Sequence, residues 1–247
     1  MPQSITPAST AAAEDDCTVS STGLELYWAV AGTGGQKTLF TASRAPGSAM
    51  FGTAIQLPIS GADSDETPRL SDDDLTLYFA SDRAGGKGGL DVWTSTRTAV
   101  GQPWKTPTPL TEVNTTAGEK WFMPCGTNHY MIVVNTGATN GNDLFEGDLG
   151  GGAPAPATPL NSTSSETGTF LTKDCKTIFF ASTRSGKSLL YTAHRDDMAD
   201  PWPSPSPVTD FDMGGDQQQD PWISVDQRTF VFASDKSGNY DIYMSTR

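Results

Sequence analysis

The 247-residue chain carries 29 acidic and 16 basic side chains, a formal net charge of −13, which disfavours binding to nucleic acid or to anionic membrane surfaces. Hydrophobic residues make up 36% of the sequence, enough for a packed core, while no apolar run approaches the ~18 residues that a membrane-spanning helix needs. The 25 glycines and 17 prolines predict a chain with many turns.

Five segments of the chain resemble one another. In chain order they start at Leu24, Leu75, His129, Lys176 and Arg228. Their equivalent positions, spaced by 51, 53, 48 and 52 residues, are Tyr27, Tyr78, Met131, Phe179 and Val231. A regular period near 50 is typical of propellers and solenoids.

Strand patterns inside the second segment favour a propeller. The apolar run 77–80 and the alternating run 91–94 flank a glycine-rich turn at 84–89, which predicts a hairpin. A further strand precedes the acidic turn at 71–74, and the proline-rich run 104–110 predicts an edge strand. Four strands that end on an edge make one propeller blade.

The edge-strand pattern occurs four times after a hairpin, at 55–59, 107–110, 157–160 and 205–208. Because there are five hairpins, the missing strand is predicted at Ser4–Ser9, which would complete blade five and close the ring. The sequence therefore predicts an all-β, five-bladed propeller of four-stranded antiparallel blades. Residues 1–247 form one domain in this prediction, with residues 1–10 completing the outer strand of blade five.

The run SDDDLTLYFASDRAGGKGGLDVWTSTR at 71–97 resembles the TolB-type propeller repeat of bacterial envelope proteins. The matching residues are Glu66, Pro68, Ser71, Asp73, Ser81, Arg83, Gly85, Gly86 and Asp91, and in the last repeat Pro221, Ser224, Asp226, Ser234, Gly238, Asp241, Ile242 and Tyr243. The third repeat departs from the pattern at 124–126, and TolB itself has six blades. The resemblance implies an interaction module outside the cytoplasm, periplasmic, on the cell surface or secreted, although these 247 residues show no signal-peptide pattern.

The repeat alignment places one carboxylate or amide at the start of each innermost strand. These residues are Glu14, Glu66, Glu119, Glu166 and Gln219. We expect them to form a ring near one mouth of the channel, where carboxylates suit a basic peptide or a calcium ion. The alternative is a salt bridge from each glutamate to a cation of the following hairpin, namely Arg83, Arg184 or Lys236. Repeats one and three lack that cation, so Glu14 and Glu119 are the stronger candidates.

Trp121 and Trp222 lie on the innermost strands of blades three and five and are the aromatic candidates for ligand contact. The alternative is packing between blades. Trp104 and Trp202 precede outer strands at equivalent positions and are predicted to be structural.

The sequence shows no nucleophilic triad, EF-hand or phosphate loop. We therefore predict a non-catalytic module, a monomer without a resident cofactor, that binds a protein or peptide, basic in the ring hypothesis, or a glycan. The alternative is a carbohydrate-active propeller, either a lectin or a glycoside hydrolase. Because neighbouring blades diverge outward, Cys125 and Cys175 are expected not to pair, which leaves three free thiols.

Overall fold

The computed structural model describes residues 2–137, 141–211 and 214–246. Within these ranges the chain forms twenty β-strands, grouped as five four-stranded antiparallel sheets around a common axis. No helix in the described ranges is long and apolar enough to cross a membrane. The predicted five-bladed, all-β propeller is confirmed.

The strands follow the repeats in chain order after β1 (Gln3–Ser4). Blade one contains β2 (Glu14–Val19), β3 (Glu25–Ala31), β4 (Lys37–Ser43) and β5 (Ile55–Gln56). Blade two contains β6 (Asp65–Leu70), β7 (Thr76–Ser81), β8 (Asp91–Thr96) and β9 (Thr108–Pro109). Blade three contains β10 (Gly118–Cys125), β11 (His129–Asn135), β12 (Asn142–Asp148) and β13 (Ala155–Pro156). Blade four contains β14 (Glu166–Leu171), β15 (Thr177–Ser182), β16 (Leu189–His194) and β17 (Ser206–Pro207). Blade five contains β18 (Gln218–Ile223), β19 (Thr229–Ser234), β20 (Asp241–Thr246) and β1.

Short polar turns join the inner two strands of the blades. In blade two, Ser71 Oγ donates to Asp73 Oδ1 at 2.6 Å, and the same contact recurs between Ser224 and Asp226. The hydrogen bond from Ser71 lowers the pKa of Asp73, so this carboxylate stays ionised and keeps the turn closed. The acidic turn predicted at 71–74 is confirmed.

The N-terminal strand closes the ring, as predicted. Gln3 and Ser4 pair with Met244 and Tyr243 of β20. Ile5 N then donates to Ile242 O at 2.7 Å, and the Ile5 side chain is buried in the core. The regular pairing is shorter than the predicted Ser4–Ser9, because only two residues of β1 join the ladder. Likewise β13 lies at 155–156, just before the predicted run 157–160.

The prediction of three free thiols is wrong. Cys125 and Cys175 form a disulfide between blades three and four, with their Cα atoms 5.6 Å apart. Both residues lie at the axial ends of inner hairpins, where neighbouring blades converge, so the outward divergence of the blades does not separate them. Cys17 is the free cysteine; it is buried, and burial raises its thiol pKa far above the ordinary value.

Candidate functional site

A β-bulge in every innermost strand determines which side chains reach the axis. The pairing register shifts at this point in all five blades, between Asp15 and Thr18 in blade one, for example. The bulge residues have left-handed backbones and are Asp16, Thr67, Trp121, Gly168 and Asp220. In blade four a side chain would press against the backbone of Asp220 at 2.7 Å, which explains the glycine.

Three of the five predicted ring residues face away from the channel. Glu14, Glu119 and Glu166 lie two residues before the bulge and are fully buried. Each carboxylate binds the loop that enters its own strand; Glu119, for example, accepts from Thr115 N at 3.1 Å. Burial raises the pKa values of Glu14 and Glu119, and the threonine hydrogen bonds only partly offset it. These carboxylates organise loops.

The other two ring residues lie one position nearer the bulge and do face the channel. Glu66 binds Lys120 Nζ at 2.9 Å, and Gln219 Nε2 donates to Asp15 at 3.3 Å. The predicted single ring of five is therefore wrong, because a shift of one residue along a strand moves a side chain to the other face.

The alternative prediction, a salt bridge from the ring to the following hairpin, holds in blade four, where Arg184 binds Glu166 at 3.1 Å. In blade two Arg83 binds Asp65 at 2.7 Å, not Glu66. Among the described residues, no group of three or more histidine, cysteine or acidic side chains could hold a metal ion. The five predicted residues do not converge, so they do not fit a calcium ion.

A polar plug fills the middle of the channel. The Trp121 indole N–H lies 3.0 Å from Asp16 Oδ1 and 2.8 Å from Asp220 Oδ1, which joins blades three, one and five. Asp16 N also donates to Asp220 Oδ2 at 2.9 Å. Arg69 is fully buried and donates to the carbonyls of Cys17 and Thr169 in blades one and four. The plug thus ties all five blades together across the axis.

Burial sets the protonation of the plug. Desolvation, followed by the charge of Asp16, raises the pKa of Asp220 to about 7. The pKa of Asp15 is raised well above its ordinary value by the same two causes. Burial also opposes ionisation of Asp16, but its ion pair with Lys37 at 2.7 Å outweighs this and lowers its pKa. One aspartate that gives up its proton more readily than usual therefore lies beside two that hold protons more tightly.

The sequence interpretation missed Asp15, Asp16 and Asp220. A signal was present, because Asp16, Trp121 and Asp220 occupy one repeat position that has no common residue type. A polar residue that differs from its equivalents in the other repeats is a stronger indication of a functional position than one that the repeats share.

An apolar bowl of about 390 Å³ opens at the other end of the axis, where the inner hairpin turns meet. Every blade contributes to its floor, which includes Val19, Leu70, Met123, Phe170, Leu171, Trp222 and Ile223. Its rim carries polar turn residues together with Val225, whose side chain is 75% exposed. Of the two predicted tryptophans, Trp222 thus lies at the bowl and Trp121 in the plug.

A second cavity of about 380 Å³ continues from the bowl into the seam between blades five and one. We call it the seam cleft. Both cavities share Val19, Ser21, Trp222, Ser224 and Val225, and the cleft adds Thr22, Gly23, Arg44, Phe51, Asp226, Thr229, Val231 and Met244.

Trp104 and Trp202 are structural, as predicted. Arg97 lies over the Trp104 ring at 4.4 Å and Arg195 over the Trp202 ring at 4.1 Å. Both tryptophans pack at the outer part of the blades.

No protein-family model matches the sequence, and no curated protein sequence matches it. Solved structures do share the fold. An endo-arabinase from Bacteroides thetaiotaomicron superposes with a TM-score of 0.62 at 11% identity, over 99% of this chain and 97% of the enzyme. An α-L-arabinofuranosidase from Podospora anserina gives a TM-score of 0.63 at 12% identity, over 99% and 94%. TolB from Acinetobacter baumannii gives 0.56 at 11% identity, over 97% of this chain but only 56% of TolB. At these identities the similarity establishes the propeller fold alone.

Proposed function

We propose that this protein is a non-catalytic binding module that works outside the cytoplasm and holds a peptide segment of a partner protein in the apolar bowl. The observation that carries the proposal is the bowl itself. All five blades converge on one concave apolar surface, ringed by polar turns, at the symmetry axis. Concave apolar sites with a few polar groups at their rim are the usual form of a ligand site.

Two features support a location outside the cytoplasm. The disulfide between blades three and four is of a kind that persists in oxidising compartments. The second feature is the TolB-type repeat, whose resemblance implies an envelope protein. TolB from Acinetobacter baumannii shares this propeller fold.

The exposed rim favours a peptide as the ligand. Val225 presents an apolar side chain that is 75% exposed directly above the bowl, where a bound segment would cover it. Trp222 and Phe170 lie edge to face, 6.2 Å apart between ring centroids, and offer aromatic surface to an apolar side chain. Hydroxyl groups at the rim, such as that of Ser21, lie where peptide amides would pass.

Affinity selection tests the proposal. A pool of acetylated pentapeptides, random except for a C-terminal leucine or phenylalanine and prepared both as free acids and as amides, is incubated with the protein. Bound peptides are identified by mass spectrometry. We expect wild-type protein to enrich a subset of the pool and Val225→Asp to lose that enrichment at least about tenfold, because a charge would be desolvated in the bowl.

Ile55→Asp is the matched control, since Ile55 is 62% exposed on an outer strand and lines neither cavity. It should retain the enrichment. If no peptide is enriched, or if both aspartate variants behave alike, the bowl is not a peptide site.

A second candidate function is hydrolysis of a polysaccharide, and the plug is the observation that favours it. Glycoside hydrolysis needs one carboxylic acid of raised pKa beside an ionised carboxylate, which describes Asp220 and Asp16. An endo-arabinase and an α-L-arabinofuranosidase share the fold over nearly their whole length. It ranks second because both aspartates are fully buried and bind Trp121, so a sugar would reach neither without displacing the plug.

Reducing-end release from arabinan and arabinoxylan tests this second function. Wild-type activity that is lost in Asp220→Asn would establish it. Absence of activity on both polysaccharides would contradict a role of the protein in hydrolysing arabinose-containing substrates.

A further inference from the structure

We propose that the seam cleft binds the free carboxylate of a peptide C-terminus, with Arg44 as its cationic partner and the terminal apolar side chains in the bowl. This inference rests on the proposed function of the bowl as a peptide site. An arginine recurs at the same repeat position in three seams between blades, and its partners differ from seam to seam.

Blades one, two and four each have an arginine directly after their third strand, namely Arg44, Arg97 and Arg195. In the seam between blades one and two, the Arg97 guanidinium donates hydrogen bonds to both carboxylate oxygens of Glu25, at 2.6 and 3.0 Å. It also donates to the Tyr27 hydroxyl at 3.2 Å. It is 4% exposed. Here the arginine locks two blades together.

The seam between blades three and four repeats this arrangement. Arg195 binds Glu146 at 2.6 Å and stacks on Trp202, and the His129 ring also contacts Glu146 at 2.7 Å. A carboxylate from the preceding blade is again the partner of the arginine.

The seam between blades five and one has the arginine and the aromatic ring but no carboxylate at these positions. Arg44 lies over the Phe51 ring at 4.7 Å, and its Nε donates to Gly23 O at 2.7 Å. Its two terminal nitrogens make no hydrogen bond or ion pair with any residue that the structure describes. The strand register shows why: Thr229 takes the place of Glu25, and Met244 that of Glu146.

The residues that replace the missing partners line the seam cleft itself. None of the three, Thr229, Val231 and Met244, carries a carboxylate that could form an ion pair with Arg44. They leave space beside its guanidinium. Burial lowers the pKa of Arg44 without neutralising it, so the cleft holds a cation without a described partner. Asp226 also lines the cleft, but its Oδ1 accepts from Ser224 Oγ and Arg228 N within its own turn.

The position of the cleft identifies the ligand chemistry. A planar carboxylate fits a guanidinium in the two-pronged geometry that Glu25 shows with Arg97. Trp222 and Val225 line both cavities, so a carboxylate at Arg44 lies next to an apolar side chain in the bowl. A chain terminus ending in an apolar residue presents these two groups together.

The same peptide pool tests whether Arg44 binds the terminal carboxylate, because each peptide is present both as a free acid and as an amide. We expect wild-type protein to enrich free acids over the matching amides at least about tenfold, the usual size of a charge-assisted pair. Arg44→Met should lose this preference. Thr229→Glu should lose it as well, because the new carboxylate would occupy Arg44 as Glu25 occupies Arg97. Lys105→Met, which removes a positive charge at an exposed position of blade two, should keep it.

The outcomes separate the two proposals. If free acids and amides are enriched equally, and Val225→Asp abolishes both, the bowl binds peptides but Arg44 does not bind their carboxylate. A preference for acids that survives Arg44→Met also overturns the role of Arg44. Enrichment that is insensitive to Val225→Asp overturns the proposed function. Dodecanoate and dodecanol, measured by calorimetry, form a further arm: binding of dodecanoate with no peptide enriched would assign the carboxylate to a fatty acid and overturn the peptide terminus.

Discussion

The seam between blades three and four and the seam between blades five and one are built from the same repeat, yet they differ in two of their cross-links. The first has a disulfide at its axial end and an arginine–glutamate pair at its outer end. The second has hydrogen bonds near the axis, from Asp16 N to Asp220 and from Gln219 to Asp15, but its arginine has no described partner from the preceding blade and lies beside a cavity of about 380 Å³. The comparison shows that a repeated residue can be structural in one blade and available for a ligand in another, and that the partner from the preceding blade decides which.

Removing the disulfide from the seam between blades three and four should have the largest effect on the free energy of unfolding. It links residues 50 positions apart, and loss of such a link costs about 4 kcal/mol of unfolding free energy in the chain-entropy account. We expect the Cys125→Ser/Cys175→Ser variant to unfold at clearly lower urea concentration. Its transition should not move further when a reductant is added, whereas that of the wild type should. An unchanged midpoint would show that the seam is held by packing alone.

Removing the arginine should distinguish the seam between blades one and two, where Arg97 has a glutamate partner, from the seam between blades five and one, where Arg44 has none among the described residues. Arg97→Met leaves Glu25 without its partner and should cost about 3 kcal/mol, as loss of one member of a largely buried pair does. Arg44→Met breaks only the bond to Gly23 and the stacking on Phe51 and should cost less than about 1 kcal/mol. Urea unfolding of both variants measures the difference. Equal losses would mean that Arg44 is as structural as Arg97.

His129, at the seam between blades three and four, should make the stability of the protein depend on pH, and this is the smallest of the expected effects. Burial opposes protonation of His129, but hydrogen bonds to Glu146 and Asp148 outweigh it and raise its pKa above 6.5. A raised pKa in the folded state stabilises the protein fully below the unfolded value, and this contribution is lost as the pH rises through the folded value. The nearby Arg195 opposes protonation but leaves the direction unchanged.

Urea unfolding of wild type and His129→Gln between pH 5.5 and 9 tests this. We expect the advantage of the wild type to shrink as the pH rises. Taking the difference between the two proteins removes the separate titration of Asp15 and Asp220. A difference that stays constant over this range would show that His129 does not change its charge on folding.

The repeat by itself predicted the number of blades, the turn aspartates such as Asp73, and the closing role of the N-terminal strand. These features depend on local chain properties, namely strand period, turn chemistry and the count of outer strands. Val231 or Phe179 can be assigned to a second strand because its neighbours in sequence determine its pairing.

Only the tertiary structure decided which side chains meet across the axis and across the seams. Glu66 and Gln219 lie one position nearer the bulge than Glu14 and Glu119 and therefore face the other side of the strand, a difference of one residue that only the strand pairing revealed. Cys125 and Cys175 meet because blades converge at their inner ends. Arg44 reads like Arg97 in the sequence, and its lack of a described partner follows from Thr229, which is 185 residues away along the chain but faces the same seam because the ring closes.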